Sequence, residues 1–249
     1  MNLGLEGSAV VCTGATGAIG RATAQVLAEE GARLLLVDRD AGALDTLAAT
    51  LPDGRHATLA CDLRDPRAAT TIVARALAEL GALDVLAHLA AIMVPRDLDD
   101  VDLALWDAHQ EVNVRGAFLL ARAAARAMRT GRGGSIVLVS SAAWLTGGRP
   151  DRLHYAVTKG AVTTLVRGLA NALGPDGIRV NGVAPGMVDT PMMEAGLVPG
   201  ERHALERSAP LGRFADPREV ANVIAFVAGS AASYVSGATV AVTGGQVPH

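Results

Sequence analysis

The chain of 249 residues is 50% hydrophobic and carries a formal net charge of −3. That much apolar material fills one sizeable core. Mixed charge without a basic patch speaks against a nucleic-acid partner. The two cysteines, Cys12 and Cys61, lie in separate apolar runs without metal-ligand spacing, so two buried, inert thiols in a reducing cytoplasm are expected. Residues 1–7 lack the apolar stretch of a signal peptide.

In chain order, Ala9–Cys12, Arg33–Val37, Ala57–Cys61, Val85–Leu89, Ser135–Val139, Arg179–Val183 and Thr239–Val242 have the length and β-branched content of strands. Between them, Ala18–Glu30, Ala41–Leu51, Pro66–Leu80, Leu103–Arg129, Tyr155–Leu173 and Pro217–Ala228 have helical spacing, with Gly31, Gly81, Gly131 and Gly174-Pro175 at their ends. Continuous apolar strands alternating with helices predict an α/β fold. It is a doubly wound, Rossmann-type parallel sheet of about seven strands, covered on both faces, with its ligand at the strands' carboxyl ends. One domain is expected over residues 1–249. The run from Val220 to His249 has no Asp, Glu, Lys or Arg, but Gly229, Gly237 and Gly244-Gly245 interrupt it before it reaches spanning length. It reads as a buried helix and strand at a subunit interface, with no membrane partner.

Directly after the first strand comes Thr13-Gly14-Ala15-Thr16-Gly17-Ala18-Ile19-Gly20, opening a helix. Glycines allow a tight turn and close approach of a pyrophosphate, and the helix N-terminus supplies unpaired N–H groups. Asp38 closes the second strand, where an acid accepts hydrogen bonds from both adenosine ribose hydroxyls and repels a 2′-phosphate. That favours NAD over NADP. Arg39 follows and is the group that would meet such a phosphate.

The cation inventory is arginine except for one lysine, Lys159, and one of the two tyrosines, Tyr155, precedes it by four residues. On a helix that spacing places phenol and ammonium on one face, as an acid–base pair. A serine nucleophile is a poor alternative, because no histidine stands in a comparable motif.

With these motifs assembled, the sequence resembles the short-chain dehydrogenase/reductase superfamily, classical type, from about Leu5 to Gly245. The resemblance implies a nicotinamide cofactor gripped by Gly14, Thr16, Gly17, Ile19, Gly20, Asp38 and Arg39. It also implies adenine-side contacts at Asp62, Leu63 and Ala90. Pro185-Gly186-Met187-Val188-Asp189-Thr190 resembles the segment that holds the nicotinamide, with Pro185, Val188 and Thr190 as contacts. Asn113, Ser141, Tyr155 and Lys159 match the family's catalytic set: Lys159 would also bind the nicotinamide ribose, and Asn113 would help hold a water chain. Three features depart from the usual pattern. His88-Leu89-Ala90-Ala91 replaces Asn-Asn-Ala-Gly, the interval from Ser141 to Tyr155 is one residue longer than the commonest form, and Thr243 stands where Asp is usual. His88 reads as a satisfied core histidine ahead of a proton-relay group or ligand.

The expected chemistry is hydride transfer between a secondary alcohol and a ketone, with Tyr155 as acid/base and Ser141 steadying the oxygen. An ammonium at about 4 Å is worth roughly 4 kcal/mol at an effective dielectric near 20, about three pKa units, so Lys159 is expected to bring the phenol toward neutrality. Substrate recognition is assigned to Ala142–His154 and Met192–Arg213. Trp144, Leu145, Met192, Met193 and Leu197 would supply apolar surface, and Arg149, Asp151, Arg152 and His154 polar handles. A small to medium alcohol or ketone, cyclic forms included, is expected, on a homotetramer of the kind the family commonly forms. Two competing readings are an NADPH-dependent 3-oxoacyl carrier-protein reductase, which Asp38 opposes, and a non-catalytic NAD sensor on the same fold.

Overall fold

The computed structural model describes residues 2–52, 56–194, 197 and 200–247. The strands are β1 (Ala9–Thr13), β2 (Arg33–Asp38), β3 (Ala57–Ala60), β4 (Val85–His88), β5 (Gly134–Val139), β6 (Ile178–Pro185) and β7 (Thr239–Val242). The helices are α1 (Ala18–Glu29), α2 (Ala41–Ala48), α3 (Ala68–Leu80), α4 (Leu103–His109), α5 (Ala117–Met128), α6 (Ala143–Thr146), α7 (Leu153–Leu173), α8 (Pro191–Glu194), α9 (Glu201–Ser208) and α10 (Pro217–Ala228). All strand pairs are parallel, in the order β3-β2-β1-β4-β5-β6-β7. β1 pairs with both β2 and β4, so the order reverses there and a crevice opens above the carboxyl ends.

Strand side chains alternate between two apolar layers. Val10, Cys12, Leu34, Leu36, Val85 and Ala87 face the layer built with α1, α2 and α10. Ala9, Val11, Leu35, Val37 and Leu86 face the layer built with α3, α5 and α7. Burial on both faces explains why these strands read as continuous apolar runs. At the start of α10, Asp216 and Glu219 form a reciprocal capping box with Pro217 in the first turn.

Two expectations need correction. The helix predicted over Leu103–Arg129 is interrupted by a π-helical turn at Gln110–Gly116, between α4 and α5. Cys12 is buried, and burial pushes its thiol up to about 12, but Cys61 is only half-buried and borders the crevice. Among the described residues, no helix is long and apolar enough to cross a membrane.

Candidate active site

The turn after β1 is shaped by what its glycines leave out. Gly14 has φ 68°, and a Cβ there would come within 2.6 Å of the Ala90 nitrogen in the segment leaving β4. Gly20 lies against the same turn, where a Cβ would meet the Gly14 carbonyl oxygen at 2.0 Å. Gly17 caps α1 without a side chain, and no acid stands in the first turn, so the helix end presents bare N–H groups to the cleft. That donor set fits a pyrophosphate.

Asp38 is held at the end of β2. Its Oδ2 accepts from the Thr16 amide at 3.0 Å and the Thr16 hydroxyl at 2.7 Å, and its Oδ1 accepts from the Arg39 amide at 2.8 Å. Oδ2 thus accepts two bonds already, and Oδ1 retains capacity for a further bond from a ribose hydroxyl. Asp62 borders the same end, but its carboxylate is gripped by Arg64, which holds it below the usual carboxylate range. The fit to a dinucleotide therefore rests on bare backbone at the centre and one oriented acid at the end.

β5 runs out into two serines with different tasks. Ser140 is buried, donates to the Lys159 carbonyl at 3.0 Å and shares a 2.8 Å bond with Thr163, pinning α7 to the sheet. Ser141 borders the cleft, accepts from the Ala143 amide at 3.2 Å and is hydrogen-bonded to the Tyr155 phenol. Tyr155 and Lys159 lie one turn apart on α7, with Nζ 5.5 Å from the phenol ring centroid.

Asn113 stands behind the cleft. Its Oδ1 accepts from the Ile92 amide at 2.8 Å, and its Nδ2 donates to the Ile92 carbonyl at 2.9 Å and to Thr158 Oγ1 at 3.0 Å. It is 1% exposed and ties the π turn to the segment after β4 and to α7. The extra residue of the turn delivers this side chain to Ile92, a typical use of a π-bulge.

The expected effect of Lys159 on Tyr155 is corrected by burial. The phenol is pushed up to about 12, chiefly because desolvation disfavours phenolate, while the Ser141 hydrogen bond and the Arg152 charge pull it down. Lys159 is lowered to about 8 by burial, and its Nζ donates to the Val139 carbonyl at 2.8 Å. Spacing gave proximity; it did not give the dielectric. His88 also departs from a satisfied core residue. Its Nδ1 shares a 2.8 Å bond with Thr13 Oγ1, yet its Nε2 is buried with no hydrogen-bond partner among the described residues. Burial and the Lys159 charge lower its pKa to about 3, so the imidazole is neutral.

One cleft of about 790 Å³ links Asp38, Gly14, Ser141 and Tyr155. Thr16, Gly17, Ile19, Gly20, Arg39, Leu63, Ala90, Lys159, Pro185, Val188 and Thr190 border it too. Of the expected substrate-side residues, Met192, Met193, Arg149 and Arg152 face it. Trp144 does not; Arg167 lies over its ring at 5.6 Å, outside the cleft. Leu145 and Asp151 also lie off its wall, and Leu197 packs against the small cluster of Met187, Ala209 and Phe214. His154 turns away, its Nε2 on the Val94 carbonyl at 2.9 Å and its ring edge-on to His109. Sequence reasoning missed Ile92, Met93, Gln246 and Val247 on the wall. Their only signal is position, just past the carboxyl ends of β4 and β7.

A family model described as enoyl-(acyl carrier protein) reductase, within the short-chain dehydrogenase group, matches residues 14–246. The chain belongs to the short-chain dehydrogenase/reductase superfamily. Among relatives in this superfamily, cis-4-hydroxycyclohexanecarboxylate dehydrogenase of Sinomonas cyclohexanicum is 41% identical over 238 residues, covering 94% of each chain. Galactitol 2-dehydrogenase (L-tagatose-forming) of Cereibacter sphaeroides is 38% identical, covering 97% of this chain and 95% of its own. A crystal structure of a glucose/ribitol dehydrogenase of the superfamily from Brucella melitensis superposes with TM-score 0.94 at 36% identity, over 100% of both chains. This short-chain dehydrogenase/reductase is accordingly an NAD(P)-dependent oxidoreductase acting on CH–OH groups.

Proposed function

We propose that the enzyme interconverts a small carbocyclic secondary alcohol and its ketone, using NAD. The observation that carries this reading is the hydrogen-bonded Ser141–Tyr155 pair facing one end of a cleft whose other end is closed by Asp38. An apolar wall that includes Ala143, Met187, Met192 and Leu205 suits a ring better than an open polyol. The substrate of the Sinomonas relative, a hydroxylated cyclohexane, supports the same choice.

When bound, the nicotinamide accepts or returns the two-electron hydride. The protein handles the proton. Tyr155 gives its phenolic proton to the ketone oxygen in reduction and recovers it from the alcohol in oxidation. Ser141 donates to that oxygen and stabilises its negative charge. Lys159 supplies a buried ammonium with one donor fixed on Val139 and others open toward the cleft. Asn113 sets the shape of the Ile92 segment and its fit to α7. Asp38 takes the ribose hydroxyls and rejects a 2′-phosphate.

Arg39 borders the cleft beside Asp38 and favours a second reading, an NADPH-dependent 3-oxoacyl carrier-protein reductase. Cyclic alcohols and ketones, assayed by the absorbance of reduced cofactor with NAD and NADP in parallel, separate the two. Turnover of cyclic alcohols with NAD is expected. A clear NADP preference, or activity confined to 3-oxoacyl thioesters, overturns the proposal, and NAD binding with no turnover on any alcohol or ketone would point to a sensor. The proposal includes a homotetramer built through the exposed Phe118, Val157, Phe226 and Tyr234 surfaces, which a single monomeric species by light scattering would refute.

A further inference from the structure

The carboxyl end of the sheet carries a buried polar layer against α7, and one of its atoms is left over. Side chains alternate along β4, so His88 shares with Leu86 the face turned to α3, α5 and α7. Its neighbours in register are Thr13 on β1 and Leu138 on β5, one residue before the Val139 carbonyl that receives Lys159 Nζ. The surrounding polar side chains are occupied. Ser140 and Thr163 bond to each other and to the Lys159 carbonyl. Asn113 bonds to Thr158 and to both main-chain groups of Ile92, and Thr158 donates to the Tyr155 carbonyl. His88 is 4% exposed; its Nδ1 is matched with Thr13 Oγ1, while its Nε2 meets no partner among the described residues.

A buried ring nitrogen without a partner disfavours the fold unless a nearby group makes use of it. The group at hand is an ammonium, because the Lys159 charge acts on the imidazole. Of the three Lys159 donors, one is fixed on Val139 and two remain. A cation selects the tautomer that turns a lone pair toward it, since an N–H there would set donor against donor. That tautomer carries its proton on Nδ1 and donates it to Thr13 Oγ1. The imidazole is not itself a proton carrier: with its pKa near 3, only about one ring in ten thousand is protonated at pH 7.

The geometry points to His88 as a positioning residue for the dehydrogenase chemistry, a neutral acceptor protonated on Nδ1 whose Nε2 lone pair supports the Lys159 ammonium. The role rests on the reading of Tyr155 and Lys159 given above and adds a residue that acts through the lysine. Burial lowers Lys159 to about 8, so its charge is held by a narrow margin and a neighbouring acceptor has leverage. An acceptor favours the charged form and raises the lysine pKa; without it, the ammonium is lost at lower pH. The other charged groups near the pair are engaged elsewhere. Tyr155 is bonded to Ser141, and the Arg152 charge acts on Tyr155. Glu111 and Arg115 of the π turn pair with each other, Arg122 of α5 lies over Phe118, and Arg179 of β6 donates to carbonyls at the end of α10. His109 and His154 turn to the Leu105 and Val94 carbonyls.

Two substitutions divide the ring between its nitrogens. His88→Asn keeps a polar group near Nδ1 for Thr13 and loses Nε2, whereas His88→Gln reaches the place of Nε2. The full-length enzyme and both variants are compared in the reduction of cyclohexanone by NADH. The high-pH limb of kcat/KM reports loss of the ammonium, because the phenol near 12 titrates later. That limb is expected about one pH unit lower in His88→Asn and unmoved in His88→Gln. A purely structural role gives the reverse order, with His88→Asn benign and His88→Gln impaired, and that result overturns the proposal. So does a limb common to all three proteins. A second measurement needs neither a variant nor turnover: the ring nitrogens of ¹⁵N-histidine-labelled wild-type protein, with His88 assigned through its contact with Thr13. An unprotonated, pyridine-type Nε2 is expected, and a protonated, pyrrole-type Nε2 overturns the proposal. Either failure with turnover intact removes the role of His88 alone, whereas no turnover of any alcohol or ketone removes the dehydrogenase reading and that role together.

Discussion

Lys159 Nζ donates to the main-chain carbonyl of Val139 at 2.8 Å, fixing the ammonium of α7 to the last residue of β5. The site accepts a compact point charge: the residue is 3% exposed, and its carbonyl is already taken by Ser140 and Thr163. An arginine keeps the charge but brings a broad planar fork into close-packed surroundings. Lys159→Arg is therefore expected to lose about a hundredfold or more in kcat/KM in a chain that uses arginine at all other cationic positions. Near-wild-type steady-state kinetics would return the solitary lysine to compositional accident.

In the proposed mechanism the Tyr155 phenol carries the proton, and its burial sets a direction for the pH dependence. Tyr155→Phe should lower kcat by about a thousandfold while leaving the NAD dissociation constant nearly unchanged, because general acid–base groups contribute on that scale. Ser141→Ala removes a hydrogen bond that lowers the phenol's pKa. Oxidation requires the deprotonated form, so its ascending limb should move to higher pH in Ser141→Ala. A limb that stays put, or moves down, contradicts the assignment of that limb to Tyr155.

Thr16 and Asp38 form the second fixed pair, and the proposed preference for NAD turns on it. On that proposal, Asp38→Ala removes the ribose acceptor and the repulsion of a 2′-phosphate, leaving Arg39 beside the site. Bonds to a charged acceptor are worth about 1.5–3 kcal/mol. The NAD-to-NADP ratio of kcat/KM should therefore fall by on the order of tenfold to a hundredfold. A variant with an undiminished preference for NAD would show that discrimination lies elsewhere in the cleft.

These relationships were unequally legible in the sequence. The strands could be read because both-face burial makes them continuous apolar runs, and the phosphate turn because its glycines follow β1 at once. The π turn at Gln110–Gly116 left no such mark, since one inserted residue shifts the apolar pattern by less than its own irregularity. Asn113 could be found by motif, yet its bonds to Ile92 and Thr158 depend on that turn. For Tyr155, spacing located the ammonium but gave no measure of desolvation, which is the larger influence. Trp144 departs from its expected place, its ring turned to Arg167, whereas Arg152 stands on the cleft wall as expected of a polar handle. Composition cannot decide which way a short turn such as Pro150–Arg152 presents its side chains.

His88 makes acid stability a direct test of the unusual end of β4. In the native chain its pKa lies near 3, held down by burial and then by Lys159, whereas an unfolded histidine titrates near 6.5. Below about pH 6.5 the unfolded chain binds a proton that the native chain refuses, so stability falls as pH drops and keeps falling until the native imidazole protonates. At pH 5 the loss from this residue is about 2 kcal/mol. His109 is also lowered by burial and adds a loss of the same sign, common to both proteins in the comparison. His88→Asn retains a polar partner for Thr13 and removes the titration. Urea unfolding at pH 7 and pH 5 should therefore show a smaller decline for His88→Asn than for the wild-type chain. Parallel declines would mean that the buried imidazole finds a way to carry its proton in the folded state.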